Sequence, residues 1–189
     1  MAGPQLVDIA KGPARMNRRL GWLLCISVLV LIGCAPAKPK MLAAPVTGYN
    51  HTSAAINSFS VNGAGGSNIG PHQGGGNQSC CGLLPAQWHP GLTAEVEWEK
   101  DADPYSSSNW SEQRDSEAWH ARMREEVKTW THHRAVVEIP HYEKSCGLQV
   151  HFLPCDQVQV NTTCFTPLHP DYPYKELFQL KEPKECPAS

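Results

Sequence analysis

Between Leu92 and Trp98 the chain alternates Leu, Ala, Val and Trp with Thr93, Glu95 and Glu97. A period of two predicts a strand with one buried face. Val46 to Asn50 and Ile56 to Asn62 read as a strand pair joined through the short, turn-like HTSAA. Val136, Val137 and Ile139 mark another strand, stopped by Pro140. Leu148 to Leu153 and Gln157 to Thr162 form a hairpin about Pro154-Cys155-Asp156. The period changes in one place: Trp119, Met123, Val127 and Trp130 are spaced by four, four and three, the stripe of an amphipathic helix over about 110–131. Asn109 followed by Glu112 resembles a capping box. His132, His133 and Arg134 fall at the far end of that helix, where positive charge is favourable. The stripe reads as core packing. Strands on both sides of one helix predict an α+β domain with a mainly antiparallel sheet.

The first residues have a different pattern. Lys11, Arg15, Arg18 and Arg19 precede an almost wholly apolar run from Leu20 to Gly33. That run is about 14 residues, short of the roughly 20 that a spanning helix needs. A basic start, a short apolar core and small residues before a break make a secretory signal. Leu31-Ile32-Gly33-Cys34 has the order of a bacterial lipobox, so residues 1–33 read as a lipoprotein signal peptide and Cys34 as the lipidated residue. Ala35 at the next position favours the outer membrane, with the protein on its periplasmic face. Met16 is an alternative start. Residues 34–44 read as a lipidated tether, 45–164 as the periplasmic domain, and 165–189 as a Pro-rich tail.

Six cysteines follow Cys34: Cys80, Cys81, Cys146, Cys155, Cys164 and Cys186. An even number in an oxidising compartment implies up to three disulfides. A nine-residue strand spans roughly 30 Å, and bridged Cα atoms lie within about 7 Å, so Cys146 and Cys155 cannot pair across a straight strand. Folding about the hairpin turn instead brings Cys146 opposite Cys164. Cys155 and Cys186 then seek each other or the vicinal pair, while Cys80 and Cys81, as neighbours, are expected to find separate partners.

Candidate chemistry changes little. The net charge of -2 argues against a nucleic-acid binder. The glycine-dense stretch 63–78 fits no phosphate-binding pattern and reads as a flexible loop. Gly65-Gly66-Ser67-Asn68 lacks a nucleophile elbow. His132-His133 lacks the H-E-x-x-H spacing, so no metal and no cofactor is expected. Glu95, Glu97 and Glu99 share one strand face, which makes a solvated row rather than two carboxylates facing across a cleft. Bottom-up, the chain reads as a lipid-tethered, disulfide-braced binding or structural domain without a catalytic signature.

The run VTGYNHTSAAINSFSVNGAGGSN, then GGGNQSCCGLLPAQWHPGLTAEVEW, then VVEIPHY and LQVHFLPCDQVQV, resembles a family of small proteobacterial lipoproteins catalogued as a domain of unknown function. The resemblance covers about residues 45–160. Members of that family are often encoded beside type VI secretion phospholipase effectors, and some are regarded as their immunity proteins. The resemblance therefore implies a membrane-held, non-catalytic protein that binds and neutralises a lipase effector. Partner contacts are expected from Tyr49, Asn50 and His51 at a strand end, from Asn68 and His72 in the glycine loop, and from Trp88, an aromatic of the class that anchors interfaces. A structural or envelope-assembly lipoprotein is the alternative. A periplasmic hydrolase is a second, and it would need a deep pocket of convergent polar groups with shifted pKa values.

Overall fold

A computed structural model describes residues 39–187. The expected signal peptide, Cys34 and the first part of the expected tether lie outside the described residues. Eight strands form two four-stranded sheets. In chain order they are β1 (Met41–Asn50), β2 (Ala55–Val61), β3 (Ala64–Gly66), β4 (Gly74–Pro85), β5 (Thr93–Asp101), β6 (Thr131–Glu138), β7 (Leu148–Leu153) and β8 (Gln157–Thr162). The first sheet has the order β4-β1-β7-β8 and the second β3-β2-β5-β6. Every pairing is antiparallel except β1 with β7. One short helix, α1 (Glu117–Glu126), lies between β5 and β6.

Side chains from both sheets make one core. Val46, Leu148, Val150 and Val160 come from the first sheet, and Ile56, Val61, Val96 and Trp98 from the second. Phe152 meets Phe59 edge-on at 5.2 Å and Trp98 at 5.8 Å, an aromatic contact between strands of the two sheets. Gly48 is needed here, because a Cβ at that position would run into Ile69 and Phe59. In β5 the expected alternation holds: Ala94, Val96 and Trp98 are buried. On its opposite face Glu95 and Glu97 meet Arg134, and Glu99 meets His132, across the β5–β6 register.

Several expectations are corrected. The strand pair is two strands in different sheets, because the corner 51–54 carries the chain from one sheet to the other. The amide of Asn50 holds that corner. It donates to the carbonyls of Ala54 (2.7 Å) and Gly70 (3.0 Å) and accepts from the N–H and hydroxyl of Thr52 (3.1 and 2.9 Å). The tether ends sooner than expected, since β1 starts at Met41 and pairs with Pro85. The glycine stretch is not one loop: it supplies β3 and the start of β4. The helix has 10 residues rather than about 22, and none is buried. Ser116, not Asn109, caps it by accepting from the N–H of Trp119. Its stripe therefore does not enter the core, and Val127 is exposed. His132, His133 and Arg134 lie on β6, not at a helix end, because pairing with β5 extends the chain from Thr131. Strand alternation sends His132 to Glu99 and stacks His133 on Trp98.

The hairpin β7–β8 has the expected bounds, with Cys155 and Asp156 in the left-handed region at its tip. Cys146 pairs with Cys164 (Cα–Cα 5.0 Å) and Cys155 with Cys186 (5.4 Å). Cys80 and Cys81 pair with each other, contrary to expectation, since those two bridges leave them no other cysteine after Cys34.

A cleft on the outer face of the first sheet

Each strand of the first sheet has a second face, turned away from the core. On β7, Gln149 and His151 alternate with Leu148, Val150 and Phe152. The register places Thr47 beside Gln149 and Tyr49 beside His151, with Asn161 of β8 beside Gln149 on the far side. This outer face is therefore a field of uncharged polar and aromatic side chains. The segment after β8 covers it. Tyr172 and Leu177 are buried, and Phe178 packs edge-on against Tyr49, His51 and His151 at 4.9–5.9 Å. Both ends of the segment are anchored, at Cys164 and at Cys186. Ser53 N–H adds a tie to Glu182 (2.9 Å).

Between sheet and tail a cleft of about 1040 Å³ remains, walled by residues 67–69 and 72–78 on one side and by the tail on the other. Gly75 has a φ of 74°, and its lack of a Cβ lets the start of β4 lie close over the Tyr49 ring.

Tyr49, His51 and Gln149 form the floor, and behind them runs a connected polar chain. The Tyr172 hydroxyl donates to Gln149 Oε1 at 2.8 Å and lies 3.4 Å from His151 Nε2. His51 Nε2 and His151 Nδ1 are 2.9 Å apart. One tautomer set satisfies all three contacts: His51 Nε2–H donates to His151 Nδ1, and His151 Nε2–H donates to the Tyr172 oxygen. Every member is then neutral. Burial enforces this. It pushes His151 down to about 3, with His51 beside it adding to the effect. Burial lowers His51 as well, followed by its proximity to His72, and it raises the hydroxyls of Tyr49 and Tyr172. The side chain of Asn161 is fully buried, and neither its Oδ1 nor its Nδ2 has a partner among the described residues. No group of three or more metal-ligating side chains converges among the described residues.

The residues expected from the sequence are only partly gathered here. Tyr49 and His51 lie at the floor and Asn68 and His72 at the rim. Asn50 lines the cleft too, but its amide is spent on the corner. Trp88 lies elsewhere: its indole N–H donates to the carbonyl of Ile139 at 2.9 Å and the ring packs on the core. Sequence reading missed Gln149, His151, Tyr172 and Phe178. The signal for the first two was present in the alternation of LQVHFL, which marks them as the polar face of a strand. The two tail residues had no such signal.

No curated protein and no solved structure matches this chain. A family model does match residues 49–160, more than half of the chain, from the end of β1 into β8 and short of the tail. Strands β2 to β7, the corner and the floor residues Tyr49, His51 and Gln149 thus sit within the matched region, while most of β1 and the tail residues Tyr172 and Phe178 lie outside it, and the chain belongs to the family described as Protein of unknown function (DUF3304).

Proposed function

We propose that this chain is a membrane-tethered extracytoplasmic binding protein that neutralises a phospholipase delivered by type VI secretion. The observation that carries the binding part is the cleft: a large, uncharged recess on a sheet face, rimmed by exposed Phe165, Leu168, Phe178 and Leu180. Exposed apolar side chains around a polar recess are a hallmark of a surface that meets a partner. Three cysteine pairs in so small a chain favour an oxidising compartment. The lipobox at Cys34 and the resemblance to immunity lipoproteins supply the membrane and the lipase. A tether at the bilayer raises the local concentration of an inhibitor where such an enzyme acts.

A hydrolase would need convergent polar groups open to the cleft, and the buried pair behind its floor weighs against that reading by burial and by protonation state. A general base works best with a pKa near the operating pH. His151 is held neutral far below that range, and Tyr172 is held protonated. The Ser67 hydroxyl lies against Ser79 rather than a histidine. His151 and Tyr172 are spent on the network that holds the floor in shape.

The experiment is capture from envelope extracts with the full-length protein as bait and the product of its neighbouring gene, expected to be a lipase, as test partner. We expect stoichiometric capture and loss of phospholipase activity on liposomes. A folded, active lipase that is neither captured nor inhibited would overturn the reading in favour of an envelope structural role.

A further inference from the structure

Two of the three bridges are explained by their place in the chain. Cys146–Cys164 and Cys155–Cys186 span 18 and 31 residues and hold the tail to the sheet. The third, Cys80–Cys81, joins neighbours. A bridge stabilises a fold mainly by closing a loop of the unfolded chain, and more so for longer loops. Between Cys80 and Cys81 there is no loop to close, so chain restraint gives no reason for that bridge.

What it restrains is a joint in β4. The β1–β4 register runs Ala44 with Gly82 and then Val46 with Ser79. β1 spends Pro45 alone where β4 spends Cys80 and Cys81, so the cysteine pair is itself a bulge. Pro45 has no N–H to give to the ladder there. On one side of the bulge β4 is anchored: Leu84 is buried, and a Cβ on Gly82 would run into Leu148. On the other side Gly74 to Gln78 are exposed and line the cleft. The bridge thus lies between the fixed half of β4 and the half that walls the cleft. A bulge re-aims the strand beyond it, and tying its two side chains together removes backbone freedom at that joint.

The pair is also open to exchange chemistry. Cys80 is exposed and Cys81 half-buried. Exposure alone does not single it out, because Cys146, Cys164 and Cys186 are exposed too. Linkage to the fold does. Opening either long bridge forfeits a restraint that favours the folded state, so the fold resists that reaction. Opening the vicinal bridge releases no loop.

We propose that Cys80–Cys81 is a reversible thiol–disulfide site, reduced by a protein dithiol while the two long bridges stay closed, and that its state sets how firmly residues 74–79 are held as the cleft wall. One thiolate of the dithiol attacks Cys80 Sγ. The bond to Cys81 breaks, and Cys81 leaves as a thiolate that takes up a proton. The second thiolate of the dithiol then attacks its own sulfur in the mixed disulfide and releases Cys80, which is protonated in turn. The pair gains two electrons and two protons, and the dithiol is oxidised to a disulfide. This site is separate from the lipase reading and stands or falls without it.

The test uses the purified, oxidised full-length protein with any free thiol blocked beforehand. It is equilibrated in graded ratios of reduced to oxidised dithiothreitol, a small dithiol, then trapped by acid and alkylation, and each cysteine is followed by peptide mass mapping. At the ratio that half-reduces Cys80 and Cys81, we expect less than about one-tenth of Cys146, Cys155, Cys164 and Cys186 to be labelled. Return to oxidised dithiothreitol should re-form the pair. Hydrogen exchange in peptides covering 74–79 should quicken roughly tenfold in the reduced protein and in C80S/C81S, with that of the β7–β8 hairpin unchanged. A long bridge that opens before or together with the pair, a pair that does not re-form, or exchange at 74–79 indifferent to reduction would each overturn the proposal. So would a C80S/C81S protein that fails to fold, because the pair would then be a brace of the structure.

Discussion

Two buried polar side chains, Asn50 and His151, have opposite relations to the cleft. Asn50 uses its whole amide to hold the corner between the sheets, so its placement at the recess is architectural. His151 is fully buried behind the floor residues Tyr49, His51 and Gln149, and its neutrality is conditional on pH. Its folded pKa of about 3 lies below the ordinary 6.5, so between those values the unfolded chain binds a proton that the folded chain refuses. The stability it contributes is complete above pH 6.5 and is lost as the pH falls toward 3, with a slope of up to about 1.4 kcal/mol per pH unit. His51 shifts in the same direction and adds to the effect. Urea unfolding at pH 7.5 and pH 5 should therefore show a drop that His151→Asn makes smaller. An equal drop in that variant would place the pH sensitivity elsewhere.

At the scale of elements, strands were more legible than the helix. In β5 from Thr93 to Glu99 and along β7, apolar side chains face the core and polar ones the opposite face, so alternation in the sequence is alternation in space. The stripe Trp119-Met123-Val127-Trp130 has helical spacing, but it never reaches the interior. The two sheets close the core on each other, and α1 is left on the surface with no buried residue. Periodicity reports which residues share a face, not whether anything packs on that face. Truncation separates the two cases. Trp98→Ala, emptying a site that is 5% exposed against Phe152 and His133, should cost about 3–5 kcal/mol. Met123→Ala on the helix should cost less than about 1 kcal/mol by the same denaturation. Comparable losses would mean that α1 is part of the core.

For the molecule as a whole, the tail supplies one wall of the cleft. Its cover over the outer sheet face depends on bridges spanning 18 and 31 residues of sequence. Each restrains the unfolded chain by about 3 kcal/mol in the chain-entropy view. Replacing Cys155 and Cys186 together by Ser should lower stability by about that amount and open the tail between Thr166 and Glu182 to limited proteolysis. The sheets should keep their near-native circular dichroism. A tail that stays protected would show that Tyr172, Leu177 and Phe178 hold it without the bridge.

The amino-acid sequence by itself determined the local order of this protein: a strand through Leu92–Trp98, the hairpin at 148–162, and, through that hairpin, the partner of Cys146. Each of these depends on neighbours a few residues away or on a turn that fixes register, so pattern alone suffices. The division into two sheets, the parallel meeting of β1 and β7, and the cleft floor were decided only by tertiary structure. Tyr49 and His151 stack because two strands about a hundred residues apart lie side by side. Phe178 walls the cleft and Tyr172 braces it from behind because distant cysteines hold the tail over the sheet. Contacts of that range leave no period in the sequence, since they arise from which faces remain uncovered once the core has closed.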